Sequence, residues 1–203
     1  MVDLQIAGRG IRDPAVLKAM REVPRECFVN PGLEEFAYED EPLPIDEQQT
    51  ISQPYIVAIM IEAAGIGPGD RVLDVGAGSG YSAAVTSRIA ARVYAIERHA
   101  TLVAQATERF RWLGYDNIEL RVGDGTQGWP GDIRFDAILV AAAGLEVPRA
   151  LTEQLAVGGR LIIPVGKQGS TQSLRRITRN SDTEYGEEPL GPVAFVPLIG
   201  EQE

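Results

Sequence analysis

Asp74, Gly76, Gly78, Ser79 and Gly80, packed into the run DVGAGSG, are the residues of this chain best suited to hold a small ligand. They follow the apolar run Val72 to Val75 and precede a helix-forming stretch, so a buried strand ending in an acid passes through a glycine loop into a helix. Glycine lets the backbone approach a ligand closely, and a helix start offers unpaired N–H groups. The spacing is Gly-x-Gly-x-Gly with an acid two residues before the first glycine, not the Gly-x-Gly-x-x-Gly of a dinucleotide site. The loop amides would suit a pyrophosphate, but the carboxylate of Asp74 would repel one. A ligand with cationic, amine and hydroxyl groups and no phosphate matches both features, and S-adenosylmethionine has that chemistry.

Two further acids fall in order at later strand ends. Glu97 directly follows the strand-like run RVYAI, about twenty residues beyond the glycine loop, where a doubly wound fold places the carboxylate that accepts ribose hydroxyls. Asp124 and Gly125, in the Gly-Asp-Gly that follows IELRV, stand where a third strand tip would flank an adenine. Each feature alone has an ordinary structural reading: a tight turn, a solvated glutamate, a plain loop.

Around these residues the chain reads as one domain. Its 203 residues suffice for a sizeable core, with 44% hydrophobic and 24% charged residues. A net charge of -10 with no basic stripe argues against nucleic-acid binding, and the Arg175–Arg179 cluster reads as a solvated strand face. The single Cys27 excludes an internal disulfide and suits a reducing cytoplasm; it reads as buried and inert. One histidine, His99, makes neither a metal site nor a triad, so no metal is expected, and it reads as exposed or at a ligand's edge. No basic-then-apolar leader and no run of roughly 18 apolar residues appears, so neither secretion nor a membrane span is expected. A monomer is the expected state.

Asp13-Pro14 opens a helix to about Arg21, with Asp13 as N-cap. The acidic, proline-broken stretch from Glu34 to Glu47 reads as an extended surface segment whose seven acids face water. Pro54 to Ala64 is an apolar helix. Strands then fall at Arg71–Val75, Arg92–Ile96, Ile118–Val122, Phe135–Ala141 and Gly159–Val165, with helices at Ser79–Ala90, Ala100–Leu113 and Val147–Leu155. This alternation predicts an α/β, doubly wound, mostly parallel sheet with helices on both faces. Residues Ser173–Thr178 and Val193–Leu198 are expected to pair as a β edge. The layout is an N-terminal covering region (1–64), a ligand-binding core (65–166) and a C-terminal β edge (167–203). Trp112 and Trp129 are assigned to packing.

Upstream of the glycine loop stands Gln49-Thr50-Ile51-Ser52-Gln53-Pro54-Tyr55, in which Ser52 is either the N-cap of a proline-started helix or a site residue. QTISQPY, then VLDVGAGSGY, IER, GDG, FDAILVAAA, QLAVGGRLIIPVG and a terminal FVPL closely resemble the protein-L-isoaspartate O-methyltransferase family over nearly the whole chain. The resemblance implies a Rossmann-like class I S-adenosylmethionine-dependent methyltransferase fold. It also implies transfer of a methyl group to the α-carboxylate of isoaspartyl residues in damaged proteins and peptides. By the same resemblance Asp74, Gly76 and Gly78 form the methionine-side loop, Glu97 takes the ribose, and Asp124 and Gly125 flank the adenine. Thr50, Ile51 and Ser52 cover the transfer site, with Ser52 the active-site serine, hydrogen-bonding the reacting carboxylate rather than attacking as a nucleophile. The chain departs from the family's pattern at Asp46 and Gln48, where glycines are usual. Side chains there restrict φ and bring a negative charge toward the expected position of an anionic substrate. Another peptide or small-molecule carboxylate is the alternative substrate on that account.

Overall fold

The computed structural model describes residues 1–200. After a short helical turn, helix α1 (Pro14–Glu22) starts where Asp13 accepts the N–H groups of Ala15 and Val16, with proline at the first helical position. Strands β1 (Leu43–Pro44) and β2 (Thr50–Ile51) form a small antiparallel hairpin, and helix α2 (Pro54–Ala64) follows it. The core then runs β3 (Arg71–Val75), α3 (Tyr81–Ser87), β4 (Arg92–Glu97), α4 (Ala100–Leu113), β5 (Ile118–Val122), β6 (Phe135–Val140), α5 (Arg149–Glu153), β7 (Leu155–Val165), β8 (Gln172–Arg179) and β9 (Tyr185–Val193).

Seven of these strands form one sheet in the order β5-β4-β3-β6-β7-β8-β9. The first five in that order are parallel, and β8 and β9 are antiparallel to their neighbours. The chain winds outward from β3 in one direction through β4 and β5, then in the other through β6 and β7. The reversal opens a crevice at the carboxyl end of β3, where doubly wound sheets bind ligands.

Both faces of the sheet are covered, and β3 shows why its sequence is apolar throughout. Val72 joins a core with residues of α1, α2, α3 and α4, whereas Leu73 and Val75 join a second core with Phe135, Leu151 and Trp129. A parallel central strand buried on both faces needs this continuous run. Asp74 interrupts it on the helix-rich face.

Several expectations need correction. Helix α3 begins at Tyr81, because Gly80 takes φ +88° and ends the loop. An added Cβ at Gly80 would lie 2.5 Å from the Phe110 ring, so the loop fits only without a side chain there. Helix α5 is five residues long, and β7 starts at Leu155, four residues before Gly159. The last strand is Tyr185–Val193 rather than Val193–Leu198. Its two prolines are tolerated because it is an edge strand with one side unpaired. The residues after it leave the sheet and bond to the end of β6: Ala143 N–H donates to the Val196 carbonyl and Leu198 N–H to that of Ala143, both 2.8 Å.

The basic cluster in β8 is only partly solvated. Arg175 and Arg176 pair across to Glu187 and Glu188, while Arg179 is buried and donates to the carbonyl of Leu155 at 2.7 Å. The acidic stretch is not uniformly solvated either: the Asp40 carboxylate accepts from Tyr55 N–H at 2.9 Å and from the Gln53 side chain at 2.7 Å, and pairs with Arg9. Trp129 packs against Tyr94, but Trp112 is 75% exposed and does not pack. Cys27 is free and half-buried, and burial pushes its thiol pKa up, which keeps it protonated and unreactive.

Candidate active site

A cavity of about 330 Å³ occupies the crevice. Most of its walls come from Gln49 to Ser52, the loop from Val75 to Ser79, Ile96 to His99, Ala141–Ala142 after β6, and Val196 to Ile199. Gly76, Gly78, Glu97, Gly125, Thr50, Ile51 and Ser52 all line it, so seven of the nine candidate residues meet in one space. His99 lines it as well, at its edge.

Glu97 is the anchor of the cavity. It is buried, and its two oxygens accept the N–H groups of Gly78 at 2.9 Å and His99 at 3.0 Å. Each carboxylate oxygen has a second lone pair, so the group can still accept hydroxyls from a ligand. Gly78 must bend with φ +54°, and the same N–H that bonds Glu97 holds the glycine loop against the end of β4.

Asp74 lies one layer deeper, beneath the loop rather than in the wall. It is fully buried, and neither oxygen has a well-formed hydrogen bond among the described residues. Burial pushes its pKa up to about 7; the neighbouring Glu97 charge adds to the rise, and the Ser82 hydroxyl only partly offsets it. An orphaned buried carboxylate under a cavity matches a ligand with a positive charge above it.

Asp124 and Gly125 divide. Gly125 reaches the wall, and an added Cβ would collide with Val75, so this position is glycine for close packing. Asp124 sits behind it as N-cap of the turn Gly125–Gln127, accepting from Thr126 N–H at 2.9 Å and from the Thr126 hydroxyl at 2.7 Å.

Ser52 is not a helix cap. The N-cap of α2 is Gln53, which makes no capping bond through its side chain, and Ser52 faces the cavity. The loop joining β1 and β2 turns on Glu47 and Gln48, both left-handed with φ 57° and 58°. Gln49 N–H closes the turn onto the Asp46 carbonyl at 3.1 Å. Positive φ at both central positions is the condition of a tight hairpin turn usually met by Asn-Gly. The Asp46 carboxylate does not point at the cavity: it accepts from the side-chain amides of Gln105 at 2.7 Å and Asn30 at 3.4 Å. The expected charge clash with an anionic substrate is therefore not built. Instead, Gln48→Gly should stabilise the protein by about 0.5–1 kcal/mol, the relief of a left-handed side chain less the added freedom of glycine in the unfolded chain. Thermal unfolding of the variant checks this; a lowered melting temperature would contradict it.

The sequence missed the C-terminal wall. Val196 to Ile199 line the cavity as an irregular segment, and the apolar FVPL run gave a strand signal instead. Its proline, Pro197, was the available sign that the segment leaves the sheet.

A seven-stranded sheet with β8 alone reversed, binding at the β3 switch point beside a Gly-x-Gly-x-Gly loop, defines a class I S-adenosylmethionine-dependent methyltransferase fold. Within that class, the chain belongs to the protein-L-isoaspartate(D-aspartate) O-methyltransferase family, whose model matches residues 1–203. It is 56% identical over 200 residues to protein-L-isoaspartate O-methyltransferase 2 of Pelobacter propionicus, covering 98% of this chain and 89% of that one. Against the Brucella anthropi protein-L-isoaspartate O-methyltransferase it is 54% identical over 196 residues, covering 97% and 90%. A Plasmodium falciparum structure described as such an enzyme, in complex with S-adenosyl-L-homocysteine, superposes with a TM-score of 0.82 at 30% identity, covering 97% of this chain and 95% of that one.

Proposed function

We propose that this protein transfers a methyl group from S-adenosylmethionine to the α-carboxylate of L-isoaspartyl residues in damaged proteins and peptides, a repair activity exercised in the cytoplasm. The observation that carries this reading is the meeting of Thr50-Ile51-Ser52, Gly76, Gly78 and Glu97 in one cavity, although the hairpin and the glycine loop lie far apart in sequence. Family membership supplies the substrate class. The residues present suit the methyl donor: Glu97 accepts hydroxyls, Asp74 sits uncompensated beneath the floor, and the loop glycines leave backbone exposed.

When bound, S-adenosylmethionine supplies a methyl carbon already activated by its sulfonium. The acceptor carboxylate is ionised at neutral pH, so the protein needs no general base. What the protein must supply is alignment and exclusion of water. Ile51 and Val57 give the cavity an apolar wall near Ser52. The Ser52 hydroxyl donates to the acceptor carboxylate and sets its direction. Among the described residues no group of three or more His, Cys, Asp or Glu side chains could hold a metal ion. No helix among them is long and apolar enough to cross a membrane.

A radiolabelled methyl-transfer assay on an isoaspartyl peptide and its normal aspartyl twin tests the reading. Label should enter only the isoaspartyl peptide; equal labelling of both would refute the substrate assignment. Because Ser52 makes no cap, Ser52→Ala should change the unfolding free energy by less than about 0.5 kcal/mol. Turnover should fall at least about tenfold, the loss of one hydrogen bond to a charged group, with cofactor affinity kept. Full turnover in the variant would remove Ser52 from the site.

A further inference from the structure

The hairpin β1–β2 carries Thr50 and Ile51 directly into the cavity wall, yet its own two-residue strands give it little hold. What fixes it lies at its turn. The Asp46 carboxylate accepts from Gln105 on α4 at 2.7 Å, and the Glu47 carboxylate stands 3.6 Å from Nδ1 of His99, the residue just before α4. Ile45, buried, reaches over the glycine loop: an added Cβ at Gly78 would meet its Cδ1 at 3.4 Å. The turn between these contacts is left-handed at two residues without glycine. Such a backbone persists only where its surroundings hold it, and the contacts that hold it here reach the N-terminal half of α4.

We infer that Asp46 and Gln105 are positioning residues that latch the β1–β2 hairpin across the cofactor cleft, so that the ligand enters and leaves when this latch opens. The inference rests on the cofactor reading above. The closed hairpin places Thr50, Ile51 and Ser52 over the transfer site; the open hairpin exposes the glycine loop. Glu47 and His99 form the second, weaker fastening, since their contact is long and depends on protonation of the imidazole. Strain in the turn favours opening, and the bond from Gln105 opposes it.

The test compares Asp46→Ala, Gln105→Ala and the double variant, with Asp46→Asn as the conservative change. Hydrogen exchange at the backbone amides of Thr50 to Ser52 should quicken about fivefold or more in either single variant without any ligand, while α2 amides keep their rates. Release of S-adenosyl-L-homocysteine, followed by fluorescence or calorimetry, should quicken about five- to tenfold, as expected for loss of one exposed charge-assisted hydrogen bond. The double variant should be no faster than Asp46→Ala alone, because that change already removes the bond from Gln105 together with the longer one from Asn30. Asp46→Asn, which keeps an acceptor, should recover part of the effect. Unchanged exchange and release in both single variants would overturn the latch, as would full additivity in the double variant. If the parent protein binds no S-adenosyl-L-homocysteine, the function reading fails while the exchange arm still decides the latch. If it binds but does not methylate, only the substrate assignment fails.

Discussion

Asp74→Asn should abolish the pH dependence of cofactor affinity and, without ligand, make the protein more stable at pH 8. The carboxyl has an ordinary value of 3.8 and is raised to about 7 in the fold, first by burial and also by the Glu97 charge. Between those pH values the folded protein keeps a proton that the unfolded chain has lost. This contribution is fully present below about pH 4 and is lost as pH rises through 7, amounting to about 4 kcal/mol over that window. The asparagine variant lacks the slope. It should match the parent in urea unfolding near pH 4 and exceed it at pH 8 by a few kcal/mol at most, less whatever its buried amide costs. Cofactor binding has the opposite sign. A cationic ligand favours the ionised carboxylate, so affinity for S-adenosylmethionine should fall up to about tenfold per unit as pH drops from 7 to 5, with proton release on binding near pH 6.5. In the variant, affinity at pH 8 should be about 100-fold weaker and flat with pH. Calorimetry across this range checks both; an identical profile in parent and variant would show that Asp74 plays no part in binding.

Glu97→Ala should weaken S-adenosylmethionine binding by about 3 kcal/mol, roughly 100-fold, the upper range for hydrogen bonds to a charged group. The expectation is larger than for a ribose contact alone, because the same carboxylate anchors Gly78 N–H and His99 N–H. Removing it leaves two loop amides unpaired and frees the glycine loop, so cofactor binding would also have to reorder the loop. Glu97→Gln separates the two roles. Its one side-chain carbonyl still accepts from one amide, so binding should fall by an intermediate amount. Affinity unchanged in a folded Glu97→Ala protein would remove the residue from the site.

The fold was legible where burial enforces a period. The apolar strand β3, the matched helices α2 and α4, and the alternation from residue 71 to 165 follow from hydrophobic patterning that sheet packing leaves little room to break. Legibility failed where tertiary contacts outweigh local signals. The FVPL segment looks like a strand because it is apolar, but its burial is against a ligand cavity rather than another strand. Ser52 stands just before a proline-started helix and looks like a cap, yet the N-cap falls one residue later, at Gln53. At Asp46 the sequence identified an odd charge but could not give its direction, because Gln105 lies on a distant helix. The cavity residues on glycine loops were found from spacing alone; Asp124, which turned out to stand behind the wall, obeys the same spacing.

The irregular segment Val196 to Ile199 has a consequence for how this chain is made. The cavity wall draws on residues from Gln49 to Ile199, so the binding site has no local version that could assemble early. During synthesis the residues before the sheet emerge first and can begin to pack, but the cavity lacks this wall until Val196 to Ile199 have been made. Ligand therefore finds its complete site only in molecules in which Val196 to Ile199 are already seated. Once that segment is in place, occupancy is felt by the whole molecule at once, adding about 2.7 kcal/mol of stability at 100 times the dissociation constant. Newborn molecules thus pass through an interval in which they depend on their own packing alone.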